Sequence, residues 1–178
     1  MYHLPYWASR LFHQLHQGLV FGHWIAIAMK NGFVRGSRLY PAHHALLYYT
    51  KGKPSRFFRP RLAPQACRHC GGLVKDYGGY TSIIRQKGLN LSDFWEELSP
   101  VRHKNRKHRR ANQLPLSPTD RIVAIAGFLG AVLVDPFVGT GTSLISARKA
   151  GMFFVGNDMS RRSLRICVSR LHSEEAST

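Results

Sequence analysis

Two carboxylates and a pair of glycines in the last third of the chain have the residue types and spacing to do chemistry. Asp135 closes the apolar run Ala131-Val132-Leu133-Val134, and a turn follows, Pro136-Phe137-Val138-Gly139-Thr140-Gly141-Thr142. Glycines one residue apart permit positive φ and let a ligand approach the backbone. The N-terminus of a following helix would offer N–H groups and positive potential. A second acid, Asp158, ends the next apolar run. It stands about 20 residues beyond the first glycine, a spacing at which a carboxylate reaches a ribose diol at the carboxyl edge of a sheet. Leu144 occupies the position of the third glycine of the dinucleotide fingerprint, and no Gly-Lys-Ser/Thr follows the turn. Nicotinamide and nucleoside-triphosphate readings therefore weaken, and another nucleoside-bearing ligand is expected. The alternative is an ordinary strand–helix connection.

These groups need a frame. The pattern predicts a strand over 131–135, a helix through about Ala150, a strand from Met152 to Gly156, and a helix capped by Ser160 that ends near Leu171. Cys167 falls on the inner face of that last helix with Leu164 and Leu171. Upstream, Ser117 is expected to cap a helix through Arg121 and Ile125, with Pro118 in its first turn. The βαβα succession implies a parallel sheet. Near the start, a helix is expected over 8–18 with Leu11, Leu15 and Leu19 along one side. A buried strand over 19–29, broken near Gly22 and His23, and a second over 45–50 follow. Residues 51–110 carry Pro54, Pro60, Pro64, Gly71, Gly72, Gly78 and Gly79, with aromatics among the charges, and read as a long irregular insertion. Within it, Asp93-Phe94-Trp95 either stacks on a base or anchors the insertion to the sheet. His23, His43 and His44 read as packing or surface histidines.

The 178 residues include 26 Lys and Arg against 9 Asp and Glu, a formal charge of +17, and 44% are hydrophobic. That apolar fraction argues against general disorder, and the charge favours a polyanionic partner, most often nucleic acid. Arg102, Lys104, Arg106, Lys107, Arg109 and Arg110 form the densest cationic run and are the expected phosphate contacts, against a solvated loop as the alternative. Three cysteines make no disulfide framework. Cys67 and Cys70 have the C-x₂-C spacing of half a zinc site, and completing it would need His103, His108 or Cys167; a reduced thiol pair in a turn is the plainer reading. No basic-then-apolar leader opens the chain, and the longest apolar run, Ile122 to Val134, is shorter than the roughly 20 residues of a membrane span. A cytoplasmic protein that binds nucleic acid is expected.

DPFVGTGT followed by VGND resembles the S-adenosylmethionine motif of DNA amino-methyltransferases, which modify adenine N6 or cytosine N4. The order of segments is similar to a permuted class of that family. In it a catalytic half precedes a target-recognition insertion and an S-adenosylmethionine-binding half. LYPAHHALLYYTKGK resembles the strand before the insertion, and CRHCGG, KDYGGY, LSDFW and VRHKNRKHRRANQLPL resemble the insertion and its exit. The resemblance implies a Rossmann-like α/β methyltransferase fold with an incomplete parallel sheet. Its parts would be a partial catalytic half over 1–53, a recognition insertion over 54–111 and a cofactor half over 112–178. It implies that Asp135, Pro136, Phe137, Gly139, Thr140, Gly141 and Thr142 border the methionine end of the cofactor. Asp158 would hold the ribose, and Asn112, Gln113 and Leu114 would lie close by. The family also carries a tetrad of Asp, Asn or Ser, then Pro-Pro, then an aromatic residue, which this chain lacks. His3-Leu4-Pro5-Tyr6 is the nearest match, with His3, Pro5 and Tyr6 as candidate catalytic residues. A truncated or split enzyme is therefore expected, with a second chain supplying the tetrad. A non-catalytic DNA-binding remnant and an RNA methyltransferase are the alternatives.

Overall fold

The computed structural model describes residues 5–28, 36–37, 42–64, 66–67, 69–72, 78–96 and 113–175. The chain packs as two units, Met1–Phe57 with Asp93–Pro100, and Phe58–Ser92 with Val101–Thr178.

In the first unit, helix α1 (Pro5–His16) opens on a proline, whose fixed φ suits a first helical position. Strands β1 (Val20–Ala28) and β2 (His43–Thr50) pair antiparallel, and β5 (Phe94–Trp95) adds to the other edge of β1 in parallel, giving the order β2-β1-β5. The sheet of this unit is therefore mixed. The register slips between Phe21 and His23, where the sequence led us to expect a break. A β-carbon at Gly22 would run into the ring of Tyr48, so the bulge needs glycine there. The helix stripe differs by one position from the leucine spacing. Leu11 is exposed, and the half-buried positions are Phe12, Leu15 and Leu19. The reason is aromatic packing, since Phe12 meets Trp24 at 5.5 Å between ring centroids and His16 meets Tyr49 edge-on at 5.5 Å. Trp95 is 1% exposed and pairs with Ile27, so it anchors its segment to the sheet rather than offering a ring to a base.

In the second unit, the described residues between Phe58 and Ser92 form short elements: β3 (Arg61–Leu62), helix α2 (Thr81–Lys87) and β4 (Leu89–Asn90), with β3 and β4 antiparallel. Helix α3 (Leu116–Ala126) starts directly after Pro115. Ser117 thus lies inside the first turn and does not cap it. Then follow β6 (Val132–Asp135), helix α4 (Thr142–Lys149), β7 (Phe153–Gly156) and helix α5 (Arg161–Glu175). Strands β6 and β7 are parallel, with Val132 opposite Phe153 and Asp135 opposite Gly156. Ser160 caps α5 as expected, its hydroxyl accepting the Ser163 N–H at 3.2 Å.

One face of this strand pair carries the core. Val138, Leu144 and Cys167 are buried, and Leu133, Phe154, Leu164 and Leu171 pack against them. Side chains alternate along strands, so the opposite face carries Val132, Val134, Phe153 and Val155, each more than half exposed. Helices α3 and α4 are joined by buried Ser146, whose hydroxyl meets the Thr119 hydroxyl at 2.8 Å and donates to Asp120 at 2.5 Å. Among the described residues, no helix is long and apolar enough to cross a membrane.

Candidate functional site

Because β6 and β7 run parallel, their carboxyl ends lie side by side, and each ends in or just before an acid. Asp135 is the last residue of β6; Asp158 follows β7 by two residues. The two strand exits are tied together by Val138 N–H to the Asn157 carbonyl at 2.9 Å and Asn157 N–H to the Asp135 carbonyl at 3.0 Å.

Both carboxylates turn into the glycine loop. Asp135 accepts the Phe137 N–H at 2.9 Å through Oδ1 and the Ser143 hydroxyl through Oδ2. Asp158 accepts the Gly139 N–H at 2.9 Å through Oδ2 and the Ser160 N–H at 2.8 Å through Oδ1. The Gly141 N–H goes to the Val138 carbonyl at 2.9 Å. The amides of Phe137, Val138, Gly139 and Gly141 are therefore already bonded, and the loop does not offer them to a ligand. Its exposed rim carries half-buried carboxylates instead, and that potential suits a cationic or hydroxyl-bearing ligand better than a phosphate.

The left-handed backbone at Gly139 (φ 55°) and Gly141 (φ 85°) makes this possible. At Gly141 there is also no room: a β-carbon would lie 2.5 Å from the Cys167 sulfur. Burial raises the Cys167 thiol above its ordinary range, with Arg170 pulling it down and Asp135 pushing it up, and Cys167 packs as a core group.

The other residues singled out from the sequence divide clearly. Phe137, 84% exposed, and Pro136 stand out from the loop. Thr140 and Thr142 are buried. Thr142 donates its hydroxyl to the Leu114 carbonyl at 3.2 Å, which brings the segment before α3 to the start of α4. Gln113 is half-buried beside it, while Asn112 lies outside the described residues. His3 and the whole run from Arg102 to Arg110 also lie outside them, as do the side chains of Pro5 and Tyr6, whose backbone opens α1. Cys67 and Cys70 bracket a tight turn, with Gly71 N–H on the Cys67 carbonyl at 2.9 Å and Cys67 N–H on the Gly72 carbonyl at 2.7 Å. Amide N–H groups of Cys70 and His69, then the Cys70 thiol, lower the Cys67 thiol below its ordinary range. Among the described residues there is no group of three or more metal-ligating side chains. Ser143, Asn157 and Arg170 were missed by sequence reasoning. Ser143 directly follows the glycine motif, one residue into the helix, and Asn157 lies within VGND, so both had a signal in their place; Arg170 had none.

A family model described as DNA methylase, of N6/N4 type, matches residues 5–169. The chain is 41% identical to the type II methyltransferase M.BamHI of Bacillus amyloliquefaciens over 89% of its own length, and it spans only 38% of that relative. Among solved structures it is similar to the M1.HpyAVI–SAM complex (TM-score 0.62, 17% identity, 93% of this chain and 69% of that one). It is also similar to the cytosine-N4-specific PvuII DNA methyltransferase (TM-score 0.62, 11% identity, 96% of this chain and 59% of that one).

Proposed function

The chain belongs to the DNA methylase family that matches its residues 5–169, and on that premise we propose that it is the cofactor-binding and DNA-recognising part of an S-adenosylmethionine-dependent DNA amino-methyltransferase acting on adenine N6 or cytosine N4. The observation that carries the reading is the Asp158 carboxylate, bonded to Gly139 N–H at 2.9 Å and so held over the glycine loop at the ends of two parallel strands.

The residues fit the cofactor. Each Asp158 oxygen accepts one backbone N–H and retains acceptor capacity for a ribose hydroxyl. The exposed ring of Phe137 and the nearby Asp135 offer a cation-attracting surface to a sulfonium. Thr140 and Thr142, both buried, shape the loop from behind, and Gln113 and Leu114 border it through the Thr142 bond. When bound, the cofactor supplies an electrophilic methyl group. The chain's part is to hold it with one orientation and to exclude water.

Transfer also needs a base turned out of the duplex, with its exocyclic amine held by acceptors. Residues 1–178 contain no Pro-Pro-aromatic tetrad to do this. We assign that role to polypeptide outside these residues, in a second chain or a longer form. The exposed apolar face of β6 and β7 supports this, because parallel sheets bury both faces. The cationic run from Arg102 to Arg110 would contact DNA phosphates.

Calorimetric titration with S-adenosylmethionine tests the proposal. The 178-residue chain should bind it, and Asp158→Asn, which keeps the shape but turns one acceptor into a donor, should weaken binding by roughly tenfold or more. No binding by the unmodified chain would refute the cofactor assignment and leave the DNA-binding remnant. Labelled methyl transfer to DNA should appear only when a tetrad-bearing polypeptide is added.

A further inference from the structure

We infer that Arg170, on α5, is a positioning residue that locks the Thr140 peptide and thereby holds Gly139 and Gly141 in the conformation the proposed cofactor site requires. Arg170 Nη1 donates to the Thr140 carbonyl at 2.6 Å and approaches its hydroxyl at 3.4 Å. Thr140 is 4% exposed and sits between two glycines with positive φ. Peptides flanked by glycine rotate at little torsional cost; the N–H end of this one is held by the Val138 carbonyl at 2.9 Å, which leaves its carbonyl end to be fixed from outside the loop. A charge-assisted bond from a helix does hold it.

Helix α5 acts on the loop twice from one face. Cys167, three residues before Arg170, fills the space against Gly141, and Arg170 grips the residue between the glycines. The helix itself is anchored through Cys167, Leu164 and Leu171 in the core. A loop made of the most flexible residue type is in this way held rigid from behind, while both carboxylates hold it in front.

The inference rests on the cofactor reading for its consequence, but not for its geometry, and two readouts on the 178-residue chain keep these apart. In the ligand-free protein, Arg170→Met should speed amide hydrogen exchange at Thr140, Gly141 and Thr142 by roughly tenfold, the loss of one strong bond. The β6 and α3 amides should be unchanged. Arg170→Lys, which keeps the charge but not the planar fork, should restore part of the protection. Unchanged exchange in the loop, or an equal rise throughout β6 and α3, overturns the inference. By calorimetry, Arg170→Met should weaken S-adenosylmethionine and S-adenosylhomocysteine by the same factor, because the residue acts through loop shape and not through its charge. Unaltered affinity, or a loss confined to one of the two ligands, also overturns it. Failure of the unmodified chain to bind either ligand refutes the proposed function, and the exchange data still decide whether Arg170 braces the loop.

Discussion

Replacing Gly141 by alanine introduces two separable penalties. The first is conformational. Gly141 has φ 85°, and an L side chain in the left-handed region costs about 1–2 kcal/mol. The second is steric. The new methyl would lie 2.5 Å from the Cys167 sulfur, 3.3 Å from its β-carbon and 3.4 Å from its α-carbon, so the sulfur or the α5 backbone must shift. Overpacking of this kind typically costs about 1–3 kcal/mol. The total of about 2–5 kcal/mol corresponds to a fall in melting temperature of roughly 5–15 °C for a chain of this size. A double-mutant cycle separates the parts. Cys167→Ala removes the sulfur that makes the worst contact, so Gly141→Ala should cost about 1–2 kcal/mol less in that background. The φ penalty should remain. Thermal unfolding followed by circular dichroism, with urea melts for the free energies, measures all four variants. An alanine variant that melts with the unmodified chain, or an equal penalty with and without the sulfur, would refute the packing of α5 against the loop.

Two further outcomes concern parts of the chain distant from the loop. Replacing Arg102, Lys104, Arg106, Lys107, Arg109 and Arg110 together by glutamine should reduce the salt dependence of DNA binding, by up to about five in the slope of log K against log salt if each contacts a phosphate. A slope that does not change means the run is a solvated loop. Because neighbouring amides lower the Cys67 thiol and burial raises that of Cys167, Cys67 carries the larger thiolate fraction near neutral pH. Iodoacetamide should therefore modify Cys67 at lower pH than an ordinary cysteine and leave Cys167 untouched until the protein unfolds. Mass spectrometry that finds Cys167 labelled first in the folded chain contradicts the core assignment.

The elements that carry the proposed site were legible from residue types alone. An apolar run ending in Asp135, two glycines, a helical stretch and a second run leading to Asp158 leave little choice but strand, turn, helix and strand. The bulge at Gly22 and the Ser160 cap were equally local signals, one a glycine interrupting β-branched and aromatic residues, the other a hydroxyl before a helical stretch. The α1 stripe misled because leucine spacing favoured Leu11, whereas the ring of Trp24 across the unit selects Phe12. Ser117 misled because Pro115 already starts the helix, leaving the serine inside its first turn.

What the amino-acid order determined by itself was therefore the local grammar: which segments are strands and helices, where the chain must turn, and which acids stand at the strand ends. Tertiary structure alone decided how those acids are used. Asp135 and Asp158 close onto amides of the loop rather than leaving them open, and Arg170, 30 residues along the chain, grips Thr140. Periodicity reports only which face of a helix is apolar. Which carbonyl the half-buried Arg170 guanidinium meets depends on how α5 lies against the β6–α4 turn, and that is set by the packing of Cys167, Leu164 and Leu171 as a group.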